Sequence, residues 1–169
     1  MTFPTKTLDF FESFVDADGT TRIIYEGKLT VRRADVGVGL DRVVRREEFQ
    51  LWFFAEHGID NINVLNDKGN RRLAAEYITG INSYISCLSS TASIENSDRA
   101  EQKLSTDITF EEFKQLPEQL AVSWEQYVYA LNPHWGLQVG DDDNQGEAKR
   151  SRGKRTSKKK SSTGSAPKA

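Results

Sequence analysis

The chain has a single cysteine, Cys87, a single methionine and only two histidines in 169 residues. One thiol excludes an intramolecular disulfide and fits a reducing compartment. Its apolar, helix-patterned surroundings suit an inert buried thiol rather than a nucleophile. His57 and His134 are isolated, so no zinc cluster can be assembled from these ligands. No apolar run approaches the ~18–20 residues a membrane helix needs, and no basic-then-apolar leader opens the chain. The expectation is a soluble cytoplasmic protein with no membrane partner. Also lacking are a G-x-S-x-G elbow, a phosphate-cradling glycine loop and a dinucleotide fingerprint. No internal repeat of 20–50 residues is present. These absences leave no catalytic, cofactor-binding or metal-binding set to assign, and a non-enzymatic protein is expected.

What the chain does have is charge divided into blocks. Residues 1–140 carry 14 basic and 21 acidic side chains, a net of −7. An acidic knot follows, Asp141-Asp142-Asp143 with Glu147, and then residues 148–169 carry nine cations and no acid. That last segment holds nothing both apolar and larger than alanine or proline, so it cannot bury enough surface to offset its ordering entropy. It reads as a disordered basic tail, giving one globular domain over 1–140 and a disordered acidic-then-basic stretch over 141–169. Lys149, Arg150, Arg152, Lys154, Arg155, Lys158, Lys159 and Lys160 are candidate polyanion-binding residues. They would give salt-sensitive, sequence-independent contact with nucleic acid. The acidic body opposes that contact, and the tail has no aromatic residue for base stacking.

Within the domain the patterning changes along the chain. Leu8–Val15 fits either a strand or a helix. Asp16-Ala-Asp-Gly19 is a turn. Thr21–Tyr25 and Leu29–Arg33 alternate as two short strands around Glu26-Gly27-Lys28, predicting a small β-hairpin element at about 20–34. Val36-Gly-Val-Gly39 is too glycine-rich for a regular element. A helical part is expected over about 41–135. Phe49, Trp52, Phe53 and Glu56 mark its first helix, closed by Gly58 and its neighbour His57. Asn66-Asp-Lys-Gly69 is a turn. Leu73, Tyr77, Ile78, Ile81, Ile85 and Leu88 form a long stripe. The polar stretch Ser89–Thr106 reads as loop or frayed helix.

Thr109-Phe-Glu-Glu112 fits a capping box. Phe110, Phe113 and Leu116 supply that helix's apolar side, and Pro117 suits the first turn of the next. Leu120, Trp124, Tyr127, Val128 and Leu131 make its stripe, and Asn132-Pro133 ends it before Trp135. Phe110, Phe113, Leu120, Trp124, Tyr127, Val128, Leu131 and Trp135 form a candidate helix face, for a partner or for the core. The fold class is α+β and mostly helical: a small N-terminal β-hairpin, then three or four helices.

Asp16-Ala-Asp-Gly-Thr20 resembles the nucleophile motif of haloacid-dehalogenase-like phosphatases, which would make Asp16 the nucleophile and Asp18 the acid–base. That family needs a fully apolar parallel strand entering the first aspartate, and here Glu12 and Ser13 precede Phe14 and Val15. No strand–helix alternation follows. The same turn lacks the glycine and glutamate spacing of a calcium loop. Aspartate and glycine are ordinary turn residues, and the turn reading is preferred.

A second resemblance carries further. Phe-Glu-Glu-Phe-Lys-Gln-Leu-Pro-Glu-Gln-Leu (Phe110–Leu120) runs into Trp-Glu-Gln-Tyr-Val-Tyr-Ala-Leu-Asn-Pro-His-Trp (Trp124–Trp135), and the fold then gives way to a lysine-rich end. This arrangement resembles the tail assembly chaperones of long-tailed bacteriophages. The resemblance implies a small, acidic, mostly helical protein in the bacterial host cytoplasm. It implies the tape measure protein as client, kept soluble until tail tube protein replaces the chaperone; a second copy of the chain is a further candidate partner. It also implies an extended form made by ribosomal frameshift, for which codons at Lys158-Lys159-Lys160 are suited.

Overall fold

The computed structural model describes residues 3–60 and 70–136. The elements run β1 (Thr5–Val15), β2 (Thr21–Arg32), α1 (Val36–His57), α2 (Arg71–Ala74), a π-helical turn (Ala75–Ile81), α3 (Asn82–Ser90) and β3 (Thr91–Asn96). Then come α4 (Phe110–Lys114), α5 (Glu118–Leu131) and a closing 3-10 turn (Pro133–Trp135). The class is α+β and mostly helical. A three-stranded antiparallel sheet, in the order β1-β2-β3, lies under the helices. Phe10, Leu29 and Val31 are its buried side chains, and they join one core with Phe53, Ile81, Leu104, Trp124 and Val128.

The hairpin differs from the sequence expectation. β2 is one strand running through Glu26-Gly27-Lys28, and its partner is the ambiguous segment β1, paired from Thr5↔Arg32 to Val15↔Thr21. The reversal is made at Asp16–Thr20, where Gly19 has φ 84° and donates its N–H to the Asp16 carbonyl at 2.9 Å. Asp18 Oδ1 accepts from the Thr20 N–H at 2.9 Å, an Asx-type lock on the turn. Gly27 stays in the strand because neighbours fill its side-chain space. A Cβ there would stand 2.8 Å from Phe10 Cζ and 2.1 Å from the Glu95 carbonyl oxygen. The glycine marks close packing across the sheet rather than a bend.

Two further expectations are corrected. Val36-Gly-Val-Gly39 is the first turn of α1. Asp35 caps it, its Oδ1 accepting from the Val38 N–H at 2.8 Å, and that cap offsets the poor propensity of the two glycines. The polar stretch after Ser89 begins with a strand, β3, so the β element is not confined to about 20–34. β3 pairs with β2 from Gly27↔Asn96 to Val31↔Thr91. Its sequence is mostly polar because only one side of this edge strand meets the core, chiefly through half-buried Ile94.

Beyond β3 the chain covers the rest of the β2 edge. The N–H groups of Ser97, Glu101 and Gln102 donate to the carbonyls of Glu26, Ile23 and Ile24 at 2.8–3.0 Å. Arg22 pairs with Glu101, and Arg99 with Glu26, alongside these bonds. The Asn96 side chain both donates to and accepts from the Leu104 backbone, drawing Leu104 into the core. The predicted turn at Asn66–Gly69 and the predicted disordered tail lie outside the described residues.

Candidate interaction surface

The helix face read from the sequence as partner-binding or core is placed in the interior. Phe110, Phe113, Leu120, Trp124, Val128 and Trp135 are buried, and Tyr127 and Leu131 are half-buried against them. Trp124 is fully enclosed, and its indole N–H donates to Thr91 Oγ1 at 3.0 Å. The side chains on α5 pack it against the sheet, Phe110 and Phe113 pack on Tyr84, and Trp135 lies against Arg42. The basic residues Lys149 to Lys160 lie outside the described residues.

Among the described residues, exposed apolar side chains include Phe11, Phe14 and Val15 on β1, and the longest series of them lies along α1. Its inner face carries Phe53, buried, and Phe49, half-buried, with Arg42 enclosed between the helices. A second series lies on the other side: Val36, Leu40, Val43, Val44 and Leu51. The spacing i, i+4, i+7, i+8, i+15 puts all five on one helical stripe. Leu40 is 61% exposed and Leu51 70%. Scattered exposed leucines need no explanation, and a stripe over about 23 Å of one helix is a candidate interaction surface. Glu47, at i+11, falls within the same stripe between Val44 and Leu51 and pairs with Arg46. Sequence reasoning missed this stripe because it began the helix at Asp41. With Val36 as the first residue the second period becomes visible.

Beside the stripe runs a trough along the α1–α3 seam. One part, about 460 Å³, is lined by Arg32, Val38, Asp41, Val44, Arg45, Leu88, Ser89 and Thr91. The next, about 340 Å³, shares Arg45 and Leu88 and adds Glu48, Phe49, Trp52, Tyr84 and Ile85. Trp52, half-exposed, stands edge-on to Phe49 with ring centroids 5.0 Å apart.

α1 is held rigidly from below. Arg42 Nε donates to Ser86 Oγ at 2.8 Å, and Nη2 donates to Asn82 Oδ1 at 2.6 Å and to the Trp135 carbonyl at 3.2 Å. Its guanidinium also lies 4.7 Å from the Trp135 ring centroid. Burial pushes the Arg42 pKa down. Neutral oxygens and an aromatic face stabilise this cation in place of a carboxylate. Asn132 closes the same corner, its Oδ1 accepting from the Ala34 N–H at 2.7 Å and its Nδ2 donating to Ser90 Oγ at 3.1 Å.

Other chemistry-bearing residues are taken up by structure. Cys87 is wholly buried, and burial raises its pKa well above the usual thiol value. Tyr129, beside Glu125, is pushed up to about 12, first by burial. Asp16 and Asp18 sit in the hairpin turn, where the Thr20 N–H lowers the Asp18 pKa. His57 Nδ1 lies 2.9 Å from the Phe53 carbonyl at the end of α1. Among the described residues no group of three or more His, Cys, Asp or Glu is placed to hold a metal ion. Among the same residues no helix is long and apolar enough to cross a membrane. No protein-family model matches the chain, and no similar curated protein or solved structure was found.

Proposed function

We propose that the protein is a non-enzymatic tail assembly chaperone that holds amphipathic helices of a long client on the outer face of α1. The observation that supports this most is the uncovered stripe Val36, Leu40, Val43, Val44 and Leu51 beside an apolar trough. A client helix laid there would bury its own apolar face by the helix-in-groove mode. Each fully buried Leu or Val contributes about 1.5–3 kcal/mol, so one docked helix gives modest affinity. Several copies along one client give the rest by multivalency. The client class follows from the resemblance to bacteriophage tail chaperones. It is the tape measure protein, released as tail tube protein assembles, in the host cytoplasm. A frameshifted longer form belongs to the same reading.

The test is co-expression with a phage tape measure protein, the client class that the resemblance names. Wild-type chain should keep that protein soluble and co-purify with it. The double substitution Leu40→Asp with Val44→Asp should lose the complex while keeping its melting temperature. Exposed positions rarely shift stability by more than about 0.5 kcal/mol. A complex that survives the double substitution would place the client elsewhere. A second reading rests on the nine cations of residues 148–169: a nucleic-acid accessory protein binding through its tail. It predicts affinity that falls steeply with salt and is indifferent to Leu40 and Val44.

A further inference from the structure

The wider part of the trough holds an arrangement that an apolar client face does not use. Arg32 Nε and Ser89 Oγ are both shielded from solvent, and neither has a hydrogen-bond partner among the described residues. Both line the same part of the trough. Unmatched buried polar groups are rare in folded proteins, and two in one groove call for a common explanation. Arg45 lines the same space and makes no hydrogen bond or ion pair among the described residues. Asp41 is the one acid among the described residues that line this part, against two arginines, Arg32 and Arg45. Val38, Val44 and Leu88 supply an apolar wall, with Thr91 beside them. The groove is thus complementary to a group that is negative at its head and apolar along its stem.

We infer that this part of the trough is a carboxylate site, in which Arg32 and Arg45 take a glutamate or aspartate side chain carried at the margin of the docked helix's apolar face. A guanidinium presents paired donors along its edge and matches a carboxylate in two-point fashion. Ser89 adds a hydroxyl donor. The Arg32 edge that includes Nε would then be satisfied on binding, after a turn of its outer torsions toward the trough. The apolar stripe supplies affinity, and the carboxylate fixes register, because only one placement of the client brings its acid between the two arginines. This inference rests on the α1 docking surface proposed above and names the chemistry of its partner.

The probe is a synthetic 21-residue amphipathic helix with a leucine face and one glutamate at its margin, compared with the same peptide carrying glutamine. Binding to the full chain is measured by fluorescence polarisation. The glutamate peptide should bind about tenfold tighter. Arg45→Met, at an exposed position, should abolish that preference and leave glutamine-peptide affinity within about twofold; Arg32→Met should do the same. Leu40→Asp should weaken both peptides together. Equal binding of the two peptides to wild type would overturn the carboxylate site and leave the docking face standing. Binding of neither would remove both. Replacing Asp141, Asp142 and Asp143 with asparagine should change nothing. A tenfold gain in peptide affinity there would assign the site to the chain's own acidic segment. A change of sedimentation coefficient on Arg45→Met, without peptide, would assign it to a second copy. Either result overturns the inference.

Discussion

Trp124 presents no surface to solvent, yet its one polar group is matched, because Thr91 both accepts the indole N–H and donates its own hydroxyl to the Cys87 carbonyl at 2.7 Å. One side chain therefore joins α5 to the junction of α3 and β3. Trp124→Ala removes a large enclosed ring and should cost about 3–5 kcal/mol. For a domain of this size that lowers the melting temperature by ~10 °C or more, read by calorimetry. An unchanged melting temperature would mean that Trp124 is not core. Leu40, equally apolar, should behave in the opposite way, since only a partner covers it. The two residues show what residue type alone leaves open. A stripe in the sequence says that a helix has an apolar side, and the structure says whether something is already packed on it.

At the scale of elements, the signals carried by short-range chemistry were legible. The capping box at α4 is present in full: Thr109 Oγ1 accepts from the Glu112 N–H at 3.2 Å, and Glu112 Oε2 accepts from the Thr109 N–H at 2.6 Å. The Thr109 backbone and hydroxyl hold the Glu112 pKa below the ordinary glutamate range. A lowered folded-state value means the contribution is complete at neutral pH. It is lost as pH falls from the usual glutamate value through the depressed one. Glu112→Gln should therefore flatten the acid side of the stability–pH curve measured by denaturant titration, and leave its alkaline side parallel to wild type. An identical acid slope would argue against the cap. Elements that depend on distant partners were not legible. β3 is recognisable only once β2 offers an edge. The start of α1 looked irregular because Gly37 and Gly39 outweighed the Asp35 cap when weighed without the helix that follows. The strand through Gly27 needed Phe10, seventeen positions earlier, to explain the missing side chain.

At the scale of the molecule, the α+β class and the mostly helical body follow from these elements. The sheet carries α5 on its apolar face, and α1 packs against α3 with its outer stripe uncovered. The candidate helix face was legible as apolar, with core as one of its two readings; the structure turns α5 toward the sheet and packs Phe110 on Phe49 and Tyr84. The docking surface was the part least visible, because it lies on a second side of a helix whose first side already satisfied the pattern. The central claim is that a helical client covers that second side. Hydrogen–deuterium exchange of the full chain, alone and bound to a co-expressed phage tape measure protein, tests it most directly. The account predicts slowed exchange across Val36–Leu51 and along α3 near Leu88, with the sheet unchanged. Protection confined to residues 141–169, with α1 exchanging as in the free chain, would contradict it.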